Sequence, residues 1–272
     1  MPCMWCTGRG RSYAAEETTG VFVLFVGNSF TAYNGRLDLI LKDLCMHGAS
    51  KEPLHIDADV AVKMGEPLEK LVKSKFVLRA IKRAPARPGV RRVLVLQDDL
   101  ALTTFGESQK AFDSFKKLND RLAHPFELLV LGCWPCTRPE SPTDDEATAH
   151  HRAMAARVNG RLADVIGAIK LHAERAPNVA LFEDDGVHPL GVLSYLMACL
   201  VYAATFNCTR AVATALPWWD NGYQKPPGVK PFSKPSVPEL EVAREVAWAA
   251  SVAEASRAAW SGFTPDCAAQ TV

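Results

Sequence analysis

Three side chains, far apart in the sequence, have the chemistry of a nucleophile and a proton-transfer pair. Residues 27–31 read Gly-Asn-Ser-Phe-Thr and follow the apolar run 21–26, which places Ser29 just after a buried strand. Asp185 and His188 stand three residues apart, immediately before a second apolar run. A serine hydroxyl becomes a nucleophile when a base takes its proton, and a carboxylate can orient that base. The order Ser, Asp, His therefore predicts a nucleophilic serine.

Each of the two motifs is ambiguous when it is taken alone. A serine at the end of a strand is most often a helix N-cap or a turn former. Asp185 and His188 also fit an Asx-turn followed by a capping histidine. Their occurrence together, in the order that the chemistry needs, favours the catalytic interpretation. The usual elbow Gly-x-Ser-x-Gly is absent, which disfavours the α/β-hydrolase fold.

Strand and helix patterns alternate along the chain, which predicts a parallel sheet between two layers of helices. The expected strand order is flavodoxin-like, and such sheets bind ligands at the carboxyl ends of their strands. The three candidate residues each follow a predicted strand. The predicted strands are 21–26, 54–62, 93–96, 128–131 and 179–182, and the predicted helices are 37–47, 68–81, 107–122, 145–174, a helix from Pro189 onward, and 239–260.

The composition is that of a globular protein and limits its partners. The chain has 272 residues with 31 basic and 30 acidic side chains, so no long-range field favours nucleic acid or an acidic membrane. We find no membrane span and no secretory signal, and we expect a cytoplasmic protein. Four segments are expected: a disordered segment at 1–19, a catalytic domain at 20–210, a Trp- and Pro-rich arm with a helix packed on that domain at 211–262, and a tail at 263–272.

Two Cys-x-x-Cys pairs require a separate interpretation. Cys3 and Cys6 could join Cys133 and Cys136 in a zinc site, and the second pair also resembles a thiol redox motif. The pairs are far apart in sequence, and the second leads into a proline-containing loop rather than a helix. We therefore favour structural or incidental cysteines and expect neither a metal nor a cofactor.

The segments 27–31 and 185–189 resemble the first and last blocks of the SGNH/GDSL hydrolase superfamily, in the subgroup that reads Gly-Asn-Ser-Phe. The resemblance covers about residues 21–206 and is most specific over 185–202. It implies a three-layer α/β/α fold with a flavodoxin-like five-stranded parallel sheet. It also implies that Ser29 is the nucleophile, His188 the base, and Asp185 the group that orients His188.

The same resemblance implies an oxyanion hole made of the serine N–H, a glycine N–H after the second strand and an asparagine side chain after the third. Gly65 matches the glycine, although a plain turn glycine is an equal alternative. The third block departs from the family pattern, because Gln97 is followed by Asp98 and Asp99. Gln97 carries the same amide donor as asparagine on a side chain one methylene longer, and it is the candidate for the third donor. We add Asn28 as a candidate for the oxyanion hole or for substrate binding, whereas Asp98 and Asp99 either bind substrate or cap the following turn.

The sequence thus predicts a serine esterase that acts on a small acyl ester, for which an acetyl ester and an acylated carbohydrate are candidates. An acyltransferase with the same triad is one alternative, since Trp218, Trp219 and the proline-rich arm would exclude water. A non-catalytic binding or scaffold domain of the same fold is another. The sequence leaves the oligomeric state open.

Overall fold

A five-stranded parallel sheet forms the centre of the computed structural model, which describes residues 20–33, 35–46, 56–135, 141–207 and 234–260. The strand order is β2-β1-β3-β4-β5, which is the flavodoxin-like order and confirms the predicted topology. The strands are β1 (Gly20–Gly27), β2 (Ile56–Val62), β3 (Val90–Gln97), β4 (Glu127–Leu131) and β5 (Arg161–Ala163).

Helices cover both faces of the sheet, so the predicted three-layer α/β/α architecture is confirmed. One core cluster contains α2, α7, α8 and α9, and the opposite cluster contains α3, α4, α5 and α6. The helices are α1 (Ser29–Ala32), α2 (Leu37–Met46), α3 (Leu68–Leu71), α4 (Lys75–Arg83), α5 (Phe105–Asn119), α6 (Asp144–Arg157), α7 (Val165–Arg175), α8 (Gly191–Phe206) and α9 (Val237–Ala258).

The continuous apolar run of β1 is explained by its burial on both faces. Val23 and Phe25 enter the core beneath α8, whereas Phe22, Leu24 and Val26 enter the opposite core. A strand that is covered on both sides has no solvent-facing positions, so alternation with polar residues is lost. Burial of this kind holds the end of β1, and with it Ser29, in one place.

Helix α8 is apolar around its whole circumference because other elements surround it. Its residues from Gly191 to Thr205 are all buried, and it packs against the sheet, α2 and α9. Arg91 and Arg161 donate hydrogen bonds to the last carbonyls of this helix, those of Thr205 and Ala204. Helix α8 therefore provides a fixed base for the loop that precedes it. No helix among the described residues has the length and hydropathy that a membrane crossing requires.

The fifth strand is not where the sequence analysis placed it. Residues 179–182 contribute only a single antiparallel bridge, between Phe182 and Pro189, and the fifth strand is Arg161–Ala163. The predicted helix 145–174 is interrupted there, because Asn159 has a left-handed backbone (φ 52°) that ends α6. A Cβ on Gly160 would lie 2.5 Å from the carbonyl oxygen of Leu128, so glycine permits the close approach to β4.

Two helix predictions are also wrong in detail. The predicted helix 68–81 is two helices, α3 and α4, because Ser74 has an extended backbone (φ −76°, ψ 129°) before the second one. Pro189 does not lie in the first turn of α8. It pairs with Phe182, and Leu190 is the N-cap of the helix.

Helix α6 carries a histidine whose burial ties stability to pH. His151 is 2% exposed, and its Nε2 has no hydrogen-bond partner among the described residues. Burial first, and then the charge of His150, lower the pKa of His151 to about 3. The native state therefore keeps this imidazole neutral under conditions in which the unfolded chain protonates it.

The free energy of unfolding should therefore fall as the pH decreases from about 6.5 towards about 3, by roughly 1.4 kcal/mol per pH unit for this group. Between pH 7 and pH 5, we expect the wild-type protein to lose about 2 kcal/mol more than a His151→Leu variant. Urea unfolding at the two pH values measures the difference. An equal loss in both proteins would show that His151 titrates alike in the folded and unfolded states.

Candidate active site

Asp185 and His188 form a hydrogen-bonded pair on the loop that leads into α8. Nδ1 of His188 lies 2.6 Å from Oδ2 of Asp185. The other carboxylate oxygen accepts from the backbone N–H groups of Val187 (2.8 Å) and His188 (2.9 Å). The bridge between Phe182 and Pro189 closes the loop at its base. One carboxylate thus holds both the backbone and the ring of the histidine.

These hydrogen bonds determine the charge of Asp185. Partial burial by itself would raise the pKa of Asp185, but the hydrogen bonds from the His188 side chain and from the backbone N–H groups of His188 and Val187 lower it to about 2. The carboxylate is therefore ionised at neutral pH. An ionised carboxylate accepts the Nδ1 proton of a neutral imidazole, which leaves Nε2 as the free basic nitrogen.

Ser29 begins α1 directly after β1 and is half-buried. Asn28 is the N-cap of this short helix, and its Oδ1 accepts from the N–H of Phe30 at 3.1 Å. The Nδ2 of Asn28 donates to Oδ2 of Asp99 at 3.0 Å. Both ends of the Asn28 side chain thus hold the turn that carries Ser29. The proposed part of Asn28 in the oxyanion hole or in substrate binding stays a prediction.

Gln97 links the end of β3 to the same turn. Its Oε1 accepts from the N–H of Asn28 (3.1 Å) and from the hydroxyl of Thr31 (3.0 Å), and its Nε2 donates to the carbonyl of Asp98. Gln97 is 2% exposed. A Cβ on Gly27 would lie 2.4 Å from Oγ1 of Thr31 and 2.6 Å from Oε1 of Gln97, so a glycine is required beneath this contact.

The two aspartates that follow Gln97 cap backbone groups. Oδ1 of Asp98 accepts from the N–H groups of Leu68 (3.2 Å) and Asp99 (2.9 Å), and burial raises the pKa of Asp98. Oδ1 of Asp99 accepts from the N–H of Ala101 at 2.9 Å. These contacts favour the capping alternative over substrate binding for both side chains.

Two backbone N–H groups among the candidate site residues, those of Ser29 and Gly65, have no acceptor within the described residues. The N–H groups of Asn28, Phe30 and Thr31 all have acceptors, whereas that of Ser29 has none among the described residues. Gly65 lies in an exposed turn after β2 with φ 65°, and its N–H also has no acceptor in the described part of the chain. That turn begins beside the end of β1, because the N–H of Lys63 donates to the carbonyl of Gly27 at 3.1 Å.

Aromatic packing places the His188 loop against the helix of Ser29. The ring of Tyr33 stacks on the imidazole at 4.2 Å with an interplanar angle of 26°, and the ring of Phe30 faces it edge-on at 6.3 Å. Burial, followed by the charges of Glu183 and Asp185, raises the pKa of Tyr33. Within the described residues no hydrogen bond joins the Ser29 hydroxyl to His188.

Sequence reasoning missed two of the aromatic residues that contact the loop, Tyr33 and Trp134. Tyr33 lies four residues after Ser29, one helical turn further on, and this spacing was a usable signal. Trp134 lies inside the second Cys-x-x-Cys pair, and its Nε1 donates to the carbonyl of Val187 at 3.0 Å. Cys133 is fully buried beside it.

Several residues singled out in the sequence lie outside the described part of the chain. They include Trp218 and Trp219 of the proline-rich arm and three of the four cysteines in the Cys-x-x-Cys pairs, namely Cys3, Cys6 and Cys136. The alternatives that depend on them stay predictions.

Comparison with known proteins bears on the fold. No protein-family model matches the chain, and no curated protein matches it in sequence. A candidate SGNH hydrolase from Slackia heliotrinireducens is 20% identical with a TM-score of 0.51, and the match covers 68% of this chain and 99% of that one. A candidate GDSL-like lipase from Parabacteroides merdae is 15% identical with a TM-score of 0.55, over 68% of this chain and 95% of that one. The chain therefore has the fold of the SGNH/GDSL hydrolase superfamily.

Proposed function

We propose that the protein is a serine esterase that hydrolyses a small acyl ester through Ser29, His188 and Asp185. The observation that carries the proposal is the Asp185–His188 pair, held at 2.6 Å and packed over the helix that Ser29 begins. A hydrogen-bonded acid and imidazole beside a strand-end serine form the arrangement that activates a hydroxyl for acyl transfer. An acetyl ester and an acylated carbohydrate remain the candidate substrates.

In the proposed reaction, Nε2 of His188 takes the hydroxyl proton as Oγ of Ser29 attacks the ester carbonyl. Asp185 stabilises the imidazolium that forms, because its low pKa keeps it anionic throughout. The imidazolium then gives its proton to the leaving alcohol, and an acyl-enzyme remains on Ser29. Water, deprotonated by the same histidine, hydrolyses this intermediate.

The negative charge that develops on the carbonyl oxygen requires donors that are already in place. The N–H groups of Ser29 and Gly65 fit this role, since neither has an acceptor among the described residues. Gln97 was predicted as the third donor. Its contacts favour a different task, since its oxygen holds Asn28 and Thr31 and one amide hydrogen already binds the carbonyl of Asp98.

Ser29→Ala tests the nucleophile. It should abolish hydrolysis of p-nitrophenyl acetate and labelling by a fluorophosphonate probe, with little change in thermal stability, because only one half-buried oxygen is removed. Loss of a triad serine elsewhere costs about 10⁶ in kcat, so a variant that keeps more than about 1% of wild-type kcat would exclude Ser29 as the nucleophile. Ser114→Ala is the matched control, since this serine is also half-buried, and its hydroxyl donates to the carbonyl of Lys110 within its own helix α5.

Asp185→Asn tests the orienting carboxylate. The amide preserves the size of the side chain but favours the wrong histidine tautomer, and we expect kcat to fall by about 10⁴. The steady-state kinetics of p-nitrophenyl acetate hydrolysis measure this loss. A variant within tenfold of the wild type would remove Asp185 from the mechanism and leave a Ser29–His188 dyad.

Substitution of Gln97 separates the two tasks that it could perform. Gln97→Ala leaves the N–H of Asn28 buried without its acceptor, and misplacement of the nucleophile should lower kcat by about 10². Gln97→Glu keeps an oxygen for Asn28 and Thr31 and, because burial favours the neutral carboxyl group, an O–H for the carbonyl of Asp98, but it removes the second amide hydrogen. We expect it to stay within about tenfold of the wild type.

The opposite pattern would support the original prediction. If Gln97→Glu loses as much kcat as Gln97→Ala while KM is unchanged, the amide hydrogen is the group that the transition state needs, and Gln97 is an oxyanion donor. Circular dichroism of each variant at the assay temperature controls for unfolding.

A further inference from the structure

We infer that Trp134 is a positioning residue for the catalytic base, one that fixes the His188 loop relative to the helix of Ser29. The inference rests on the proposed function. It assigns a task to the segment after β4, which the sequence analysis singled out only for its cysteines.

A hydrogen bond from outside the loop holds the residue before the histidine. The indole Nε1–H of Trp134 donates to the carbonyl of Val187 at 3.0 Å. The hydrogen bonds from the N–H groups of Val187 and His188 to Asp185 hold the loop to itself and cannot set its distance from Ser29. The bond from Trp134 joins the loop to the sheet.

The ring of the same side chain contacts both halves of the candidate site. Its centroid lies 4.6 Å from that of Phe30, the residue after Ser29, and 5.2 Å from that of Phe182, at the base of the histidine loop. Trp134 thus lies between the nucleophile's helix and the base's loop. Its size determines how closely the two can approach.

The surroundings of Trp134 make it a rigid support. The side chain is 4% exposed, and Cys133 before it is fully buried. The segment follows β4, which has a strand paired on each side. A buried indole N–H that loses its acceptor costs free energy, so the hydrogen bond to Val187 is well determined. Residues supported by a paired strand hold their geometry better than residues on loops alone.

Trp134→Phe retains an aromatic ring and removes the N–H donor. Because a displacement of about 1 Å can cost about 10² in rate, we expect kcat for p-nitrophenyl acetate to fall by 10-fold to 100-fold, and KM to change less than about twofold. A purely structural tryptophan would leave kcat per folded molecule unchanged. Trp248→Phe is the matched control: it is the same substitution on α9, where the ring packs 6.0 Å from that of Tyr202, and it should leave kcat unchanged.

A double-mutant cycle with Asp185→Asn tests whether Trp134 acts through the histidine. When Asp185 no longer orients the ring, the position of the loop should matter less, so Trp134→Phe should lower kcat less than threefold in that background. An equal fold-loss in both backgrounds would show that Trp134 does not act through His188.

The controls separate failure of this inference from failure of the proposed function. If the wild type is inactive, or if Ser29→Ala remains active, the proposed function fails. If the wild type and Ser29→Ala behave as expected but Trp134→Phe equals the wild type, only the inference about Trp134 is overturned. Should Trp134→Phe not fold, an isosteric tryptophan analogue with sulfur in place of the indole N–H makes the same test, and unchanged kcat in that protein would also overturn the inference.

Discussion

The geometry of the candidate site depends on one buried hydrogen bond, from the backbone N–H of Asn28 to Oε1 of Gln97. It joins the ends of the adjacent parallel strands β1 and β3. The last pair in their register is Val26 with Leu96, so this hydrogen bond lies just beyond the regular ladder. A buried N–H without an acceptor would be costly, so the chain beyond β1 must turn where Gln97 is. The turn brings Thr31 onto the same oxygen and leaves no space for a side chain at Gly27.

The two halves of the candidate site are held by different physical means. The serine turn is fixed by buried polar contacts to β3, which are directional and lose much of their energy when displaced. The histidine loop is stabilised within itself by Asp185, and its contacts with the rest of the chain include aromatic faces and the indole hydrogen bond of Trp134. Aromatic contacts are less directional than hydrogen bonds, so among these contacts the indole hydrogen bond is the directional one that restricts the loop relative to Ser29.

The features that the sequence predicted correctly are those with a local signal. The buried strands β1 and β3 are apolar runs, and the order of strands and helices restricts the topology. The short strand β5 has three residues, and helical spacing continues on both sides of it, so it gives no local signal. Its presence depends instead on the close contact of Gly160 with the backbone of β4. The contacts of Trp134 with Val187 and of Gln97 with Asn28 join residues 53 and 69 positions apart. Such contacts form only once strand order and register are established. Local sequence patterns do not reveal them, because both depend on the complete fold.

The departure at Gln97 has a geometric explanation that follows from the length of the side chain. The superfamily resemblance implies an asparagine at this point that donates to the oxyanion, whereas glutamine is one methylene longer. Here the longer side chain turns its oxygen back to Asn28 and Thr31 and its nitrogen to the carbonyl of Asp98. An oxyanion in this site would then rely mainly on the backbone N–H groups of Ser29 and Gly65. Backbone donors lose no side-chain entropy when they bind an oxyanion. In the proposed mechanism, the contact of Gln97 with Asn28 would therefore assist catalysis by keeping the neighbouring N–H of Ser29 in place.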